Sequence, residues 1–408
     1  MTTTNAEPPL QPVPAILIGI GGYGESYLSR LLDPSNTLVR IVAAVDPHAG
    51  RSAKLHELEA AGIPVLASLD ACTTEASLAI VSSPIQVHRE QTCACFSRGM
   101  HVLCEKPVAP LIQDVHAMIA ARDAARRLGA VGYQWSFSNA VLALKADVMA
   151  GVLGTPVRLK TIVRWPRTKT YYTRNSWAGA IKDARGNWVL DSPVNNATAH
   201  YLHNMLFVLG RSLDRSATPA TIEGELYRAN DIQNYDTAAM RIMTTAGTEI
   251  LFYSTHAVRD QRHPEFILEF EEAAVTFGGA QKNIIARFTG GTTKDYGSPD
   301  VDAMTKVWTM ARAVSNAAVI PCGFEAAASH TLCVNGLQES CDILPFPAES
   351  VRRDESPGDS LTWVEGLAEL FDECYTRALL PSETGAAWAR KGHTMDLTSY
   401  TSYPHTGQ

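Results

Sequence analysis

Short apolar runs alternate with segments of helical spacing over the first third of the chain. Each run is bounded by polar residues or glycine, as expected for strands buried on both faces. Helical spacing follows two of them, over Ser26–Leu32 and His88–Arg98. The alternation predicts a doubly wound parallel sheet in an α/β domain over residues 1–134. The predicted strands are Pro14–Ile18, Arg40–Val45, Leu78–Ser82, His101–Cys104 and Ala130–Tyr133.

The pattern changes after residue 134, where extended segments follow one another without intervening helices. This predicts a mostly antiparallel sheet in an α+β domain over residues 135–408, which includes a C-terminal extension. Residues 345–359 are polar and contain proline, which predicts a surface connection. The predicted strands are Val157–Trp165, Thr221–Arg228, Thr237–Met243, Thr248–Ser254, Phe266–Phe270 and Ile284–Phe288. The predicted helices are Ala140–Met149, Pro193–Leu209, Val301–Ala317, Glu325–Cys341 and Ser360–Arg377.

A glycine-rich turn directly follows the first predicted strand. Gly19, Gly21 and Gly24 have the spacing of a dinucleotide-binding turn, with a strand before them and a helix after them. The first glycine allows the tight turn, the second lets backbone approach a pyrophosphate, and the third lets the helix pack closely. Asp46 ends the second strand about 20 residues later, where a carboxylate meets the adenosine ribose. It would repel a 2′-phosphate, so the pattern predicts NAD rather than NADP.

Composition and charge exclude several other classes of protein. A chain of 408 residues is long enough for two domains. Its net charge of −7 argues against a nucleic-acid partner. No apolar run reaches membrane-spanning length, and the first residues lack the basic start and apolar core of a signal peptide, which predicts a cytoplasmic protein. Of the eight cysteines only Cys93 and Cys95 are close in sequence, which predicts reduced thiols and no metal site.

The tripeptide Glu105-Lys106-Pro107 follows the strand that ends at Cys104, about eighty residues after the glycine turn. A lysine in this position offers a proton carrier beside a dinucleotide. The order of these motifs resembles the glucose–fructose oxidoreductase / inositol dehydrogenase (Gfo/Idh/MocA) family over roughly residues 14–345. The resemblance implies a Rossmann domain followed by a domain with a large open sheet, and NAD(P)-dependent oxidation of sugars, inositols or their derivatives. It also implies a homodimer or homotetramer formed through the open sheet.

The resemblance assigns roles to particular residues of this chain. It implies that Lys106 hydrogen-bonds the reacting hydroxyl, and that the peptide bond into Pro107 is cis. The residues expected to bind the cofactor are Gly19, Gly21, Gly22, Tyr23, Gly24, Asp46, Ser83, Pro84, His88, Glu105 and Lys106.

One segment departs from the family pattern, which has an aspartate and a histidine four residues apart on a helix. His200 falls on the family histidine, whereas Asn196 falls on the aspartate. An alternative alignment gives the aspartate role to Asp191. Asparagine can orient a partner by hydrogen bonding but cannot take a proton. Lys106, His200 and Asn196 are therefore the expected catalytic residues, with His200 as the relay.

A polar and aromatic stretch over residues 164–177 precedes this helix. Aromatic rings stack on sugar faces, and arginine binds hydroxyls or a carboxylate; a surface loop is the alternative interpretation. The residues expected near the substrate are Gln134, Trp135, Arg164, Tyr172, Trp177 and His203. Together these features predict a dehydrogenase of a sugar, an inositol or a related polyol. A dinucleotide-binding sensor without turnover, and a dehydrogenase of a non-sugar carbonyl, are the alternatives.

Overall fold

The computed structural model describes residues 11–316 and 318–405. Their helices are α1 Tyr23–Leu31, α2 Leu55–Ala60, α3 His88–Ser97, α4 Ile112–Ala125, α5 Asn139–Met149, α6 Lys169–Thr173, α7 Ala199–Val208, α8 Thr305–Asn316, α9 Phe324–Ser340 and α10 Leu367–Arg377. Short 3₁₀ segments lie at Ala49–Arg51, Ile85–Val87, Gln134–Phe137, Ala348–Ser350 and Pro381–Glu383, and a π-helical turn spans Pro193–Ala197.

The strands fall into three sheets. The first contains β1 Val13–Ile18, β2 Val39–Val45, β3 Val65–Leu66, β4 Leu78–Val81, β5 His101–Cys104 and β6 Gly129–Val131. The second contains β7 Pro156–Arg164, β8 Pro219–Arg228, β9 Thr237–Thr244, β10 Glu249–Thr255, β11 Arg262–Phe270, β12 Ala273–Gly278, β13 Gln281–Phe288, β14 Thr293–Gly297, β15 Ile343–Pro345 and β18 Met395–Asp396. The third is a hairpin of β16 Val351–Ser356 and β17 Asp359–Val364.

The chain forms two compact units that interleave in sequence. Of the described residues, the first comprises 11–105, 117–132, 302–316 and 318–320, so that α8 joins the Rossmann elements. The second comprises residues 106–116, 133–301 and 321–405. The predicted boundary at residue 134, between a cofactor-binding domain and a substrate-binding domain, stays a prediction. No helix of the described residues is long and apolar enough to cross a membrane.

The first unit is built on a six-stranded parallel sheet in the order β3-β2-β1-β4-β5-β6. All four residues of β4 are buried, as expected for a central parallel strand covered on both faces. The strand order reverses between β1 and β4. Ligands of such sheets bind in the crevice at the carboxyl ends of the strands at this switch point. The predicted Rossmann fold is confirmed.

The second unit is built on a ten-stranded sheet in the order β14-β13-β12-β11-β7-β10-β9-β8-β15, with β18 paired to β8. Most neighbouring pairs are antiparallel, and the exceptions are β7 with β10 and β8 with β15. The predicted large, mostly antiparallel sheet is therefore confirmed. Helices α7 and α9 pack on one face of it.

The C-terminal extension covers much of the other face of this sheet. Phe371, Tyr375 and Leu380 belong to one buried apolar cluster with Ile162 of β7 and Tyr253 of β10. Tyr253 also donates its hydroxyl to the carbonyl oxygens of Cys374 and Leu379, at 3.1 and 2.8 Å. The face of the sheet over these central strands is therefore covered from within the same chain. The oligomeric state itself stays a prediction.

The sequence-based assignment of this extension was partly wrong. Residues 345–359 are not a plain surface connection, because β15, a 3₁₀ segment and β16 lie within or beside them. Ser360–Arg377 is not one helix, because β17 runs to Val364 and α10 begins at Leu367. Alternate burial along β17 is the two-residue period of a strand. Gly358, with φ +82°, makes the hairpin turn. The predicted end of α8 at Ala317 lies outside the described residues.

Candidate active site

The glycine turn leaves room for a phosphate above its backbone. Gly19 has φ +85°, and a Cβ there would lie 2.7 Å from the backbone nitrogen of Ser83. A Cβ on Gly24 would lie 2.2 Å from the carbonyl oxygen of Gly19, so only glycine allows this close approach of helix and strand. A Cβ on Gly21 or Gly22, by contrast, would meet no atom of the described residues within 4 Å. The turn therefore fits the pyrophosphate of a dinucleotide.

Asp46 lies at the end of β2, where its carboxylate supports the glycine turn. Its Oδ2 accepts a hydrogen bond from the backbone N–H of Ile20 at 3.0 Å, and its Oδ1 accepts one from His48 at 2.7 Å. An ionised carboxylate has about four acceptor sites. Capacity for ribose hydroxyls therefore remains, and the negative charge lies where a 2′-phosphate would be repelled.

The loop after β4 is held by His88. This histidine is buried, and its Nε2 lies 2.8 Å from the carbonyl oxygen of Ser83. The Ser83 hydroxyl donates to Gln91 in α3, and Pro84 is extended before the 3₁₀ segment that follows. His88 thus orders the loop through its contact with Ser83. Direct contact of Ser83, Pro84 and His88 with the cofactor stays a prediction.

Glu105 is the centre of a buried polar cluster in the first unit, which we call the Glu105 cluster: Tyr23, Tyr27, Glu105 and Lys306. The Glu105 carboxylate accepts hydrogen bonds from the Tyr27 hydroxyl and from Lys306 Nζ. Lys306 Nζ also lies 3.4 Å from the hydroxyl of Tyr23, which belongs to the glycine turn. Burial, followed by the Glu105 charge, raises the pKa of Tyr27 well above its ordinary value. A Cβ on Gly132 would lie 2.8 Å from Glu105 Oε1, so glycine is needed there.

Lys106, the next residue, belongs to a different set of contacts. Its Nζ donates to the backbone carbonyl oxygen of Asn196 at 2.8 Å and to the Asn196 side-chain Oδ1 at 3.2 Å. The Asn196 Nδ2 donates in turn to Asp191 Oδ1 at 2.7 Å. The structure therefore places Asn196 between Lys106 and Asp191. Both candidates for the family aspartate are in one chain of hydrogen bonds, and Asn196 is the one that contacts the lysine.

Asp191 is buried, and its second oxygen accepts a hydrogen bond from the backbone N–H of Gly179 at 2.6 Å. Burial raises the pKa of the Asp191 carboxyl, against the lowering effect of the Gly179 and Asn196 hydrogen bonds. The preceding residue, Leu190, has φ +53°, an unfavourable conformation for a bulky side chain. The backbone thus accepts local strain directly beside the carboxylate, which is a common property of functional sites.

The helix predicted over Pro193–Leu209 is interrupted at Thr198. A π-helical turn carries Asn196, and α7 starts at Ala199. Thr198 Oγ1 donates to the carbonyl oxygen of Pro193 at 2.8 Å and lies 3.0 Å from Ser254 Oγ, which holds the interruption in place. Such π-helical turns often occur at functional sites. Because of it, Asn196 and His200 do not lie on one continuous α-helical face.

The two histidines of α7 have different environments. The half-buried ring of His200 makes an edge contact with Tyr133, at 5.8 Å between centroids. His203 is fully buried, stacks on Tyr133 at 3.9 Å, and lies 3.0 Å from Ser136 Oγ through Nε2. Burial lowers the pKa of His203 well below its ordinary value. His203 is therefore a neutral core residue that a substrate cannot reach, contrary to its expected role. The relay role of His200 stays a prediction.

The remaining expected substrate residues do not all converge. Arg164 pairs with Asp372 of α10 at 3.2 Å, on the sheet face opposite to Trp165, so the structure does not bring it to Lys106. Trp135 is buried and donates to Asp300 at 3.2 Å, which makes it a core residue. Gln134 is half-buried at the start of its 3₁₀ segment.

The residues around Tyr171 form a second cluster near Asp191. Arg174 Nη2 lies 3.9 Å from Asp191 Oδ2, and its guanidinium lies over Tyr171 at 3.7 Å and over Trp177 at 5.7 Å. The Tyr172 hydroxyl lies 3.3 Å from His256 Nδ1. Tyr172 and Trp177 therefore lie in the same part of the second unit as Asp191. Asp191 was the alternative candidate for the family aspartate, and Arg174 lies in the polar and aromatic stretch singled out in the sequence, whereas Lys306 had no sequence signal.

Comparisons with known proteins identify the class of the first unit. Residues 14–133 match the model of the Gfo/Idh/MocA group, described as an oxidoreductase family with an NAD-binding Rossmann fold. The protein thus has an NAD-binding domain of the oxidoreductase class. The resemblance seen in the sequence is therefore confirmed over residues 14–133.

Two curated relatives are inositol 2-dehydrogenases. The enzyme of Streptomyces avermitilis is 33% identical over 151 residues, which are 35% of this chain and 42% of the relative. Inositol 2-dehydrogenase 1 of Saccharopolyspora erythraea is 25% identical over 277 residues, 63% of this chain and 81% of the relative. The match thus spans less than half of the first relative and about four fifths of the second.

Solved structures share the fold over most of the chain. An oxidoreductase from Agrobacterium radiobacter, in complex with NAD+, L-tartaric acid and magnesium, has a TM-score of 0.66 at 15% identity, covering 81% of this chain and 96% of the other. The WlbA dehydrogenase from Bordetella pertussis, in complex with NADH and UDP-GlcNAcA, has a TM-score of 0.66 at 17% identity over the same shares. These likenesses show that the fold extends beyond the matched Rossmann segment.

Proposed function

We propose that the protein is an NAD-dependent dehydrogenase that oxidises a CH–OH group of a sugar, an inositol or a related polyol. The observation that carries the proposal is the contact of Lys106 with Asn196. Lys106 closely follows β5, a strand of the sheet that matches an NAD-binding fold. The curated relatives named above support this substrate class. A cytoplasmic location and a homo-oligomeric state are further predictions.

The chain's own residues supply binding and proton transfer. When bound, NAD would supply the hydride acceptor for the substrate carbon. Lys106, as the neutral amine, accepts the hydroxyl proton as the C–H bond breaks, which yields the carbonyl product. Asn196 holds Lys106 through two oxygens, and Asp191 holds the Asn196 amide. Asp191 therefore supplies the negative charge of this site through the asparagine and without touching the lysine.

The proposal is tested by NAD reduction across a panel of inositols, aldoses and sugar acids. Turnover of at least one polyol class supports it. Tight NAD binding without turnover of any of them, measured by calorimetric titration, would instead support the sensor interpretation. Turnover of a non-sugar alcohol alone would support the remaining alternative.

Cofactor preference is expected to depend on Asp46. Asp46→Ala should weaken NAD binding by about 1.5–3 kcal/mol, the value of a hydrogen bond to a charged group, and narrow the gap to NADP. Calorimetric titration with both dinucleotides measures this. Glu59→Ala is the control, since it removes an exposed carboxylate of the same unit. Tighter binding of NADP than NAD by the unmodified protein would contradict the assignment.

Asp191 is expected to fix the orientation of the Asn196 amide. In Asp191→Asn, the oxygen that accepts from Gly179 can remain an acceptor, and the group facing Asn196 then becomes an NH₂ donor. Asn196 must turn its oxygen towards this donor, which turns its own NH₂ towards Lys106, or it loses its hydrogen bond to position 191. We expect kcat to fall by about 10- to 100-fold, the range for one misplaced group, with NAD affinity retained.

The exchanged pair provides the control for this variant. Asp191→Asn combined with Asn196→Asp restores the hydrogen bond between the two positions with its direction reversed, and keeps an acceptor facing Lys106, so most of the activity should return. If the double variant is as slow as Asp191→Asn, the amide orientation is not the reason for the loss.

A further inference from the structure

Two guanidinium groups lie over the ring of a single tyrosine in the second unit. Arg174 is 3.7 Å and Arg167 is 4.8 Å from the Tyr171 ring centroid. Arg167 also lies 5.5 Å from the Trp165 ring. A cation over an aromatic face gains about 0.5–2 kcal/mol, which does not remove its charge. Two cations on one ring therefore repel each other unless an anion lies between or beside them.

The described residues supply few anions to this cluster. Arg174 approaches Asp191 at 3.9 Å, the outer limit of an ion pair, and the Asp191 oxygens already accept shorter hydrogen bonds from Gly179 and Asn196. Arg167 has no carboxylate within ion-pair distance among the described residues. The Tyr171 hydroxyl accepts a hydrogen bond from Arg167, but it is a neutral partner.

The neighbouring phenols and the imidazole of His256 do not add negative charge. Burial raises the pKa of Tyr171 and Tyr172, so both phenols are neutral at physiological pH. Burial, followed by the charges of Arg167 and Arg174, lowers the pKa of His256 well below its ordinary value. The buried Asp236 also acts on Tyr172, but its oxygens already accept hydrogen bonds from Ala229, Asn230 and Thr237. The half-buried Arg167 is thus a cation whose counter-ion the described part of the chain does not provide.

The cluster is continuous with the proposed proton carrier. Lys106 contacts Asn196, Asn196 contacts Asp191, and Asp191 contacts Arg174. All four residues belong to the second unit. A substrate whose hydroxyl reaches Lys106 therefore has two guanidinium groups within the same polar region. Arginine binds carboxylate and phosphate oxygens through paired donors, which makes it selective for these groups.

We infer that the substrate carries an anionic group, a carboxylate or a phosphate, which is bound by Arg167 and Arg174. This inference rests on the proposed function and narrows its substrate class to acidic derivatives of polyols. Arg167 is the specificity-determining residue, because Arg174 already has a carboxylate at the edge of ion-pair distance. The aromatic rings of Trp165 and Tyr171 hold its guanidinium in place.

The test compares matched substrates that share one sugar ring. Each series contains a neutral hexose, its uronic acid and its 6-phosphate, in the gluco, galacto and manno configurations. NAD reduction gives kcat/KM for each, and calorimetric titration of the NAD-loaded protein gives binding without turnover. We expect one acidic member to exceed its neutral counterpart by about 10- to 100-fold, the range for one charge-assisted pair. The member that is preferred distinguishes a carboxylate from a phosphate.

The variant Arg167→Gln should remove most of this preference, so that the ratio of acidic to neutral kcat/KM falls by a similar factor. Arg167→Lys should retain part of the preference because it keeps the charge. Arg185→Gln, which removes an exposed arginine of the same unit, is the control for long-range electrostatics. Thermal unfolding and NAD titration show whether each variant is folded.

The outcomes separate this inference from the proposed function. Turnover of neutral and acidic members at equal efficiency overturns the inference and leaves the dehydrogenase proposal intact. Acid-selective binding without turnover supports the inference and overturns the dehydrogenase proposal. An acid preference that Arg167→Gln and Arg185→Gln reduce equally would show general charge attraction, and would overturn the assignment to Arg167.

Discussion

Replacing Lys106 by alanine should lower kcat for the true substrate by about 100-fold or more, the usual contribution of a positioned acid–base group. The NAD affinity should change only a few-fold, because the glycine turn and Asp46 belong to the first unit and are not altered. Steady-state NAD reduction and calorimetric NAD titration measure the two effects separately.

Lys160→Ala is a matched control for Lys106→Ala. Lys160 is a buried lysine of the second unit, and it pairs with Glu269 at 3.4 Å on the sheet face covered by α10. We expect it to affect stability and to leave kcat nearly unchanged. Full activity of Lys106→Ala would exclude Lys106 as the proton carrier.

Replacing Lys306 by methionine should destabilise the first unit by about 3–5 kcal/mol, because it leaves the buried Glu105 carboxylate without its cation. Lys306 is 1% exposed, and Glu105 is 7% exposed. The change in the free energy of unfolding is measured by urea titration, from the shift in the urea concentration at which half of the first unit is unfolded. Arg51→Met, which removes an exposed cation of the same unit, should change the midpoint little.

A double variant separates the contribution of the ion pair to stability from that of the packing of the Lys306 alkyl chain. Glu105→Gln combined with Lys306→Met removes both charges, so its loss of stability should be smaller than that of Lys306→Met alone. A double variant that is no more stable than Lys306→Met would show that the contacts of the alkyl chain dominate.

The Rossmann part could be predicted from sequence because its signals are local. The strand, glycine turn, helix and Asp46 occur in a fixed order within about 30 residues, and the structure places them as expected. Glu105 was expected to bind the cofactor, which stays a prediction, and the structure shows that it also accepts hydrogen bonds from Tyr27 and Lys306. Lys306 lies about 200 residues away in an ordinary amphipathic helix, and no local pattern distinguishes it from a surface lysine.

The segment that contains Asp191, Asn196 and His200 could be predicted only in part from the sequence. Helical spacing placed Asn196 and His200 on one face, but the turn that carries Asn196 is π-helical and ends at Thr198. The interruption depends on a hydrogen-bonded contact between Thr198 and Ser254, a residue of β10. Likewise, Asp191 and Asn196 appeared as alternatives in the sequence, whereas the structure uses them in series. Tertiary contacts of this kind have no periodic signal.

Because of the C-terminal extension, one face of the large sheet is buried without a second subunit. An apolar sheet face that another subunit covers is buried only above a certain protein concentration, because association loses translational and rotational freedom. Here Phe371, Tyr375 and Leu380 cover the central strands from within the same chain. The burial of this face is therefore independent of dilution. The chain itself thus keeps the apolar side chains of these central strands out of water, even as a single molecule.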